Sequence, residues 1–247
     1  MNKIVIYTSL VGGYDTLPQP LVIYPDCDYL CFSNDFNEKK VGVWEIRKIP
    51  IVIKDNTRLS RFVKINPQSV LSDYQYSVWI DSNIQILDEF LHDCILTAID
   101  NHVLWGAVKH PDKDCIYTDA RNCACGGNES FWAIYNQCKF LKGEGYPEKN
   151  GLYENNLIFR NHNDKQIEDI CVQWWDIYMK FSKRDQLSLC YILWKNGFKP
   201  EILLPDNINT WDKKHFNRVL HEFTFMYHVK RRLKHIINSI LFNVFKF

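Results

Sequence analysis

The run Tyr76-Ser-Val-Trp-Ile80 is apolar and β-prone, and it stops without transition at Asp81-Ser82-Asn83. It reads as a buried strand delivering three polar side chains at its carboxyl end. Similar short apolar runs recur at Lys3–Thr8, Tyr29–Ser33, Trp44–Ile49, Leu104–Val108 and Phe198–Leu204. Between them, helical patterns cover Asn56–Asn66, Leu87–Asn101, Ser130–Leu141, Ile167–Phe181 and Asp185–Lys195. Strands alternating with helices predict an α/β layer fold with a mostly parallel central sheet. Ligands of such sheets sit beyond the carboxyl ends of the strands, where Gly12-Gly13-Tyr14-Asp15 and Asp81-Ser82-Asn83 both fall.

A 247-residue chain with 46% hydrophobic and 24% charged residues is ordinary for a globular core. No domain boundary is legible before about residue 225, so a single domain over 1–227 and an appendage over 228–247 are expected. Thirty basic against twenty-nine acidic residues, a net charge of +1, speak against a general nucleic-acid binder. The start MNKIVIYTSL lacks a signal-peptide core, so a cytoplasmic chain with reduced cysteines is expected. Of the nine cysteines, the closest are Cys115, Cys123 and Cys125, and no second pair completes a zinc set; buried or loop thiols are the expectation. No run is long enough to cross a membrane. The serine-hydrolase elbow, the dinucleotide glycine fingerprint and the P-loop are all missing, which disfavours those three classes.

Asp81 and Asn83 are alternate residues just past a strand, and their oxygens suit a hard cation such as Mg2+ or Mn2+, which would neutralise a diphosphate. The same triplet is also ordinary turn chemistry. Arg58, Arg61 and Lys64, spaced i,i+3, share one helical face that suits phosphate oxygens or simply solvent. Asp185-Gln186 opens a helix, either as a cap or as a pair aimed at sugar hydroxyls. The stretch from Gly151 to Asn163 reads as a polar, Asn- and His-rich cluster around one short apolar run, of the kind carbohydrate sites need and loops contain.

Taken in order, YTSLVGGYD, RLSRFVK, YSVWIDSNI, HPDKDCIYTDA, GLYENNLIFRNHN and FSKRDQLSLCYILWK resemble a glycosyltransferase-like domain of plant cell-wall and mucilage proteins and bacterial polysaccharide loci. The resemblance spans roughly residues 3 to 205. More distantly the chain is similar to the glycogenin and lipopolysaccharide galactosyltransferase family, which implies a GT-A-type, Rossmann-like fold and retention of the anomeric configuration. The resemblance implies a nucleotide-sugar site built from Thr8, Tyr14, Asp15, Arg58, Arg61, Lys64, Asp81 and Asn83. The Asp-x-Asp motif of that fold aligns with Asp81 and Asn83, so one metal ligand here lacks a charge. A late histidine, His221 or His228, is implied as a further ligand of Mn2+ or Mg2+. Asp185 and Gln186 match the pair near the transferred sugar, and His110, Glu154, Asn155 and His162 lie in motifs that suit the sugar or acceptor. Asp119 and Glu154 are candidates for a base. The expected activity is metal-dependent sugar transfer from a nucleotide-diphosphate donor to a glycan or lipid-linked acceptor in surface polysaccharide synthesis. The alternative is a catalytically silent nucleotide- or glycan-binding module.

The last segment, HVKRRLKHIINSILFNVFKF, sets Leu233, Ile236, Ile237, Ile240, Leu241, Val244 and Phe245 on one helical stripe behind Lys230, Arg231, Arg232 and Lys234. Residues 230–247 carry five cations and no acid, so +5 here leaves −4 for the rest. A basic amphipathic helix fits an anionic membrane surface, placing the protein peripherally on the inner face of the cell membrane. A terminal helix docked on the core, or a dimer seam, is the alternative.

Overall fold

The structure is a computed structural model that describes residues 3–13, 16–219 and 225–245. Tyr14, Asp15 and His221 lie outside the described residues. In chain order the first half comprises β1 (Ile4–Ser9), β2 (Cys27–Phe32), β3 (Lys40–Val41), β4 (Trp44–Arg47), α1 (Asn56–Ile65), α2 (Pro67–Val70), β5 (Tyr76–Ile80), β6 (Ile84–Ile86), α3 (Phe90–Asp100) and β7 (Trp105–Lys109). There follow α4 (Ile116–Cys125), α5 (Phe131–Gly143), β8 (Tyr153–Arg160), α6 (Lys165–Lys180), α7 (Asp185–Lys195), β9 (Glu201–Ile202), β10 (Phe216–Arg218) and α8 (Phe225–Phe245).

The chain divides into two compact units. Unit 1 comprises Met1–Lys109, Glu154–Val172 and Pro200–Glu222; unit 2 comprises His110–Tyr153, Gln173–Lys199 and Phe223–Phe247. Unit 1 holds the large sheet, in the order β3-β4-β2-β1-β5-β8-β7-β9. Its β1–β2, β2–β4, β1–β5 and β7–β9 pairs are parallel, while β8 runs antiparallel to β5 with Trp79 opposite Ile158. The α/β class, the mostly parallel sheet and the C-terminal helix are as the sequence predicts. The core of unit 1 gathers Ile4, Ile6, Val78, Ile80, Ile95, Leu157 and Phe159, all buried. Asp55 caps α1 by accepting the Arg58 N–H at 3.0 Å, and Leu59 and Val63 turn its apolar face inward.

Unit 2 is helical. All but the last two residues and the amide-bearing Gln186 of α7 are buried in its core. Helix α8 docks on the turn between α4 and α5 through Asn238, whose Nδ2 donates to the carbonyls of Ala124 (2.7 Å) and Glu129 (2.9 Å) while its Oδ1 accepts the Phe131 N–H at 3.0 Å. Phe242, one turn on, packs edge-to-face on Phe131. Most of the apolar stripe faces away from the docking surface: Leu233 is 55% exposed, Ile237 56%, Ile240 57% and Val244 67%. Within unit 2 the helix is therefore docked, as the packing alternative has it, but through a polar anchor and the rings of Phe242 and Phe245, the latter meeting Phe131, Trp132 and Tyr135. Among the described residues no helix is long and apolar enough to cross a membrane.

Three sequence expectations change. Residues 153–160 form a buried strand in the middle of the large sheet instead of a loop. The helix expected over Leu87–Asn101 starts at Phe90, because residues 84–86 pair with Phe216–Arg218. The late strand expected over Phe198–Leu204 shrinks to two exposed residues. All nine cysteines are free thiols, and seven of them are buried.

Candidate active site

Where β5 ends, the backbone N–H of Asp81 donates to the Asn156 carbonyl of β8 at 2.9 Å, and the Asp81 carbonyl accepts the Ile84 N–H at 2.9 Å. The turn so closed holds the Asp81 carboxylate still. Its Oδ1 accepts the Trp79 indole N–H at 2.8 Å and faces the Lys64 ammonium at 3.5 Å. Lys64 is itself buried and lies over the Trp79 ring, 5.4 Å from its centroid. Arg58 and Arg61 stand on the preceding turns of α1, partly exposed.

Lys64 is placed from behind. Arg160, fully buried, donates to the Lys64 carbonyl at 2.6 Å and to the Tyr7 hydroxyl, and Tyr7 in turn donates to the same carbonyl at 3.3 Å. Burial raises the Tyr7 phenol well above its ordinary range, so it stays a donor.

Beside Asp81, β8 opens with Glu154, Asn155 and Asn156, all buried. Asn156 Nδ2 donates to Glu154 Oε2 (3.2 Å) and to the Thr210 hydroxyl (2.8 Å), and Arg218 donates to that hydroxyl at 3.1 Å. Arg218 stacks on Trp211 at 3.9 Å from the ring centroid. Burial lowers its pKa, while the Asp81 and Glu154 carboxylates work the other way and support its charge. Two carboxylates and two cations thus share the carboxyl-end edge of the sheet in unit 1. Asn155 points to the other face of β8; it is 4% exposed, and neither amide atom has a hydrogen-bond partner among the described residues. The Thr8 hydroxyl, fully buried near the end of β1, is likewise unpartnered there.

The loop after β1 bends at Gly12 (φ 100°) and Gly13 (φ 63°), a backbone only glycine adopts without strain. Both N–H groups donate to Asp35 Oδ2, at 2.6 and 3.1 Å. Asn83 Nδ2 donates to the Val219 carbonyl at 3.3 Å, and the Val219 N–H returns to the Asn83 carbonyl at 2.9 Å. This fixes which way the Asn83 amide faces. A Mg2+ or Mn2+ ion commonly takes one or two protein oxygens and fills its shell with water and substrate phosphates, and Asp81 with Asn83 suits that pattern. Among the described residues the one trio of His, Cys and carboxylate side chains at ligand spacing lies elsewhere, at the opposite end of β2: Asp26, Cys27 and His92. There His92 Nε2 meets Asp26 Oδ1 at 2.7 Å, and burial pushes the Cys27 thiol well up.

His162 is fully buried at the far end of β8, its Nε2 against the Leu71 carbonyl at 2.9 Å. Three further sequence candidates fall in unit 2. His110 Nδ1 accepts the Asp112 N–H at 3.2 Å. Asp185 is buried at the start of α7, and its carbonyl accepts the Trp174 indole N–H at 3.2 Å. Gln186 accepts from Arg184 and donates to the Tyr153 carbonyl at 3.1 Å. In the same unit Lys113 (2.7 Å) and Arg184 (3.3 Å) hold the buried Asp119 carboxylate. Although burial opposes it, Arg184 and Lys113 keep that carboxyl below its ordinary range. Asp119 is therefore a locked counter-ion and a poor proton acceptor. His228 is exposed on the first turn of α8.

Sequence reasoning misses Thr210, Trp211, Arg218 and Asp35, and it counts Arg160 only as one member of the polar cluster. Residues 203–219 carry no periodicity that would mark them, and an arginine inside a strand looks like an edge residue until the fold buries it.

A glycosyltransferase-like family described as TOD1/MUCI70 matches residues 27–224. The chain belongs to the TOD1/MUCI70 family. For a TOD1/MUCI70 domain, a role in glycosyl transfer follows from the family's description. No curated protein matches the chain. Among solved structures it is similar to the apo form of WbbM, a bifunctional glycosyltransferase, at 11% identity and a TM-score of 0.45. That likeness covers 94% of the TOD1/MUCI70 chain but 44% of WbbM, so the chain spans less than half of that protein.

Proposed function

We propose that this protein transfers a sugar from a nucleotide-diphosphate donor to a glycan or lipid-linked acceptor in surface polysaccharide synthesis. The observation that carries this reading is the Asp81 carboxylate at the end of β5, with the buried Lys64 ammonium 3.5 Å away and Arg218 beside it. Lys64 and Arg218 take up charge as the diphosphate leaves, and they are already positioned, so little reorganisation opposes them. Asp81 and Asn83 hold a divalent cation, which when bound supplies further neutralisation of the diphosphate. The loop at Gly12 and Gly13 lets a nucleotide approach the backbone closely. Asp185 and Gln186 serve the transferred sugar. Replacing Asp81 by Ala is expected to lower transfer by at least 100-fold and to remove the Mn2+-dependent part of donor binding, measured by calorimetry. Unchanged activity and binding would sink the assignment.

A second reading is a silent binding module, favoured by one feature: Asn83 stands where a second acid would carry charge, and its amide is tied to Val219. Donor binding without turnover against any acceptor would select it.

We further infer that α8 seats the protein on the anionic inner face of the cell membrane. Its exposed Leu233, Ile236, Ile237, Ile240 and Val244 and the cations at Lys230–Lys234 support that.

A further inference from the structure

Gly151 and Gly197, in unit 2, both have left-handed backbone (φ 84° and 60°), and no atom lies within 4 Å of where a side chain would begin. Between them opens a cavity of about 480 Å³. That is within the range of small-molecule sites, about 300–1,000 Å³. Its walls are aromatic, with Tyr146, Tyr153, Trp194 and Phe198; the Tyr146 and Trp194 rings meet at 5.4 Å and 73°. The loop below is fixed: Gly151 N–H donates to the Asp114 carbonyl at 2.9 Å, and Asn150 Nδ2 donates to the Tyr146 hydroxyl at 3.3 Å.

The charged groups on the lining are Lys149 and Lys199, and no aspartate or glutamate joins them. Neither ammonium pairs with a carboxylate among the described residues, whereas Lys113 and Lys195 of the same unit pair with Asp119 and Glu144. Lys149 itself sits at φ 55°, where Gly or Asn would be easier. Rings for the apolar face of a sugar and two uncompensated cations at one mouth describe a specific ligand chemistry.

We propose that this cavity binds an anionic sugar residue, its ring against Trp194 and Tyr146 and its carboxylate or phosphate between Lys149 and Lys199. Its role as an acceptor subsite rests on the transferase reading above; the binding itself does not.

Calorimetry on the full chain with three tetrasaccharides tests this: one containing glucuronate, its carboxyl-reduced neutral analogue, and a 6-phosphorylated form of that analogue. The glucuronate or phosphorylated form is expected to bind at least tenfold more tightly than the neutral one, and which of them wins identifies the anion. The double variant Lys149→Ala/Lys199→Ala, altered only at exposed positions, is expected to lose at least tenfold in that affinity and to keep its thermal shift with UDP and Mn2+. Equal affinity for charged and neutral forms, no change in the double variant, or displacement of the sugar by UDP would each overturn the proposal. Anionic-sugar binding that survives while every donor fails to turn over leaves this site standing and removes the transferase reading.

Discussion

His162 shows how a single buried side chain ties stability to pH. Its Nε2 donates to the Leu71 carbonyl, and its Nδ1 has no partner among the described residues. A proton on Nδ1 would be a buried charge near the Arg160 guanidinium, and burial, with that cation, lowers the pKa from 6.5 to about 4. The native state thus takes this proton later than the unfolded chain. The stability it protects is complete above pH 6.5 and is lost as the pH falls towards 4, by up to about 3 kcal/mol. Denaturant unfolding between pH 7 and 4.5 should show that slope, and His162→Gln should flatten it; an identical slope in the variant would assign the effect to other groups. Motif position alone suggested a sugar ligand here, because sequence carries no signal for depth. Arg160 makes the same point from the opposite direction. Nothing in FRNHN separates an arginine that reaches solvent from one that grips the end of α1 and so sets where Lys64 stands.

At the scale of elements, β5 was legible because five apolar residues meet an abrupt polar stop, and α7 because its apolar residues crowd onto most of its surface. Strand β8 was not, since Glu154, Asn155 and Asn156 break the apolar run that buried strands usually show. Those side chains are tolerated inside because Thr210 and Arg218, more than fifty residues later, complete the network around Glu154 and Asn156. Helix α4 was missed for a related reason, its Asp119 being an acid that becomes a core residue only through Lys113 and Arg184. For α8 the periodicity gave the helix but not its orientation. Gly127 (φ 71°) lies under it so closely that a Cβ there would stand 2.3 Å from the Arg231 carbonyl oxygen. Gly127→Ala is therefore expected to unseat α8 and cost about 2–4 kcal/mol, from strain and overpacking together. The paired change Ile237→Asp/Ile240→Asp, on the exposed stripe, should leave stability within about 0.5 kcal/mol. The same pair should abolish co-sedimentation with phosphatidylserine vesicles, and retained sedimentation would refute the membrane role.

For the whole molecule, the donor reading predicts where a ligand will be felt. At a hundredfold excess over Kd a nucleotide sugar stabilises its binding state by about 2.7 kcal/mol. Hydrogen exchange should then slow in β1, β5, the start of β8 and the 205–219 segment, all of unit 1, with Mn2+ strengthening the effect. Protection confined to unit 2 would move the donor site. The charge division bears on the membrane as well: −4 over residues 1–229 against +5 beyond makes the overall +1 uninformative about surface attraction. One consequence concerns the way Asn238 locks α8. Ile240, two residues on, lies about 200° round the helix from that anchor. A helix held by Asn238, by Phe242 one turn on and by Arg231 on the Gly126 carbonyl two turns before cannot roll about its own axis. Any plane the stripe rests on therefore meets unit 2 from a single side. On the membrane reading proposed above, encounter with acceptors held in that plane would become a two-dimensional search with a preset heading.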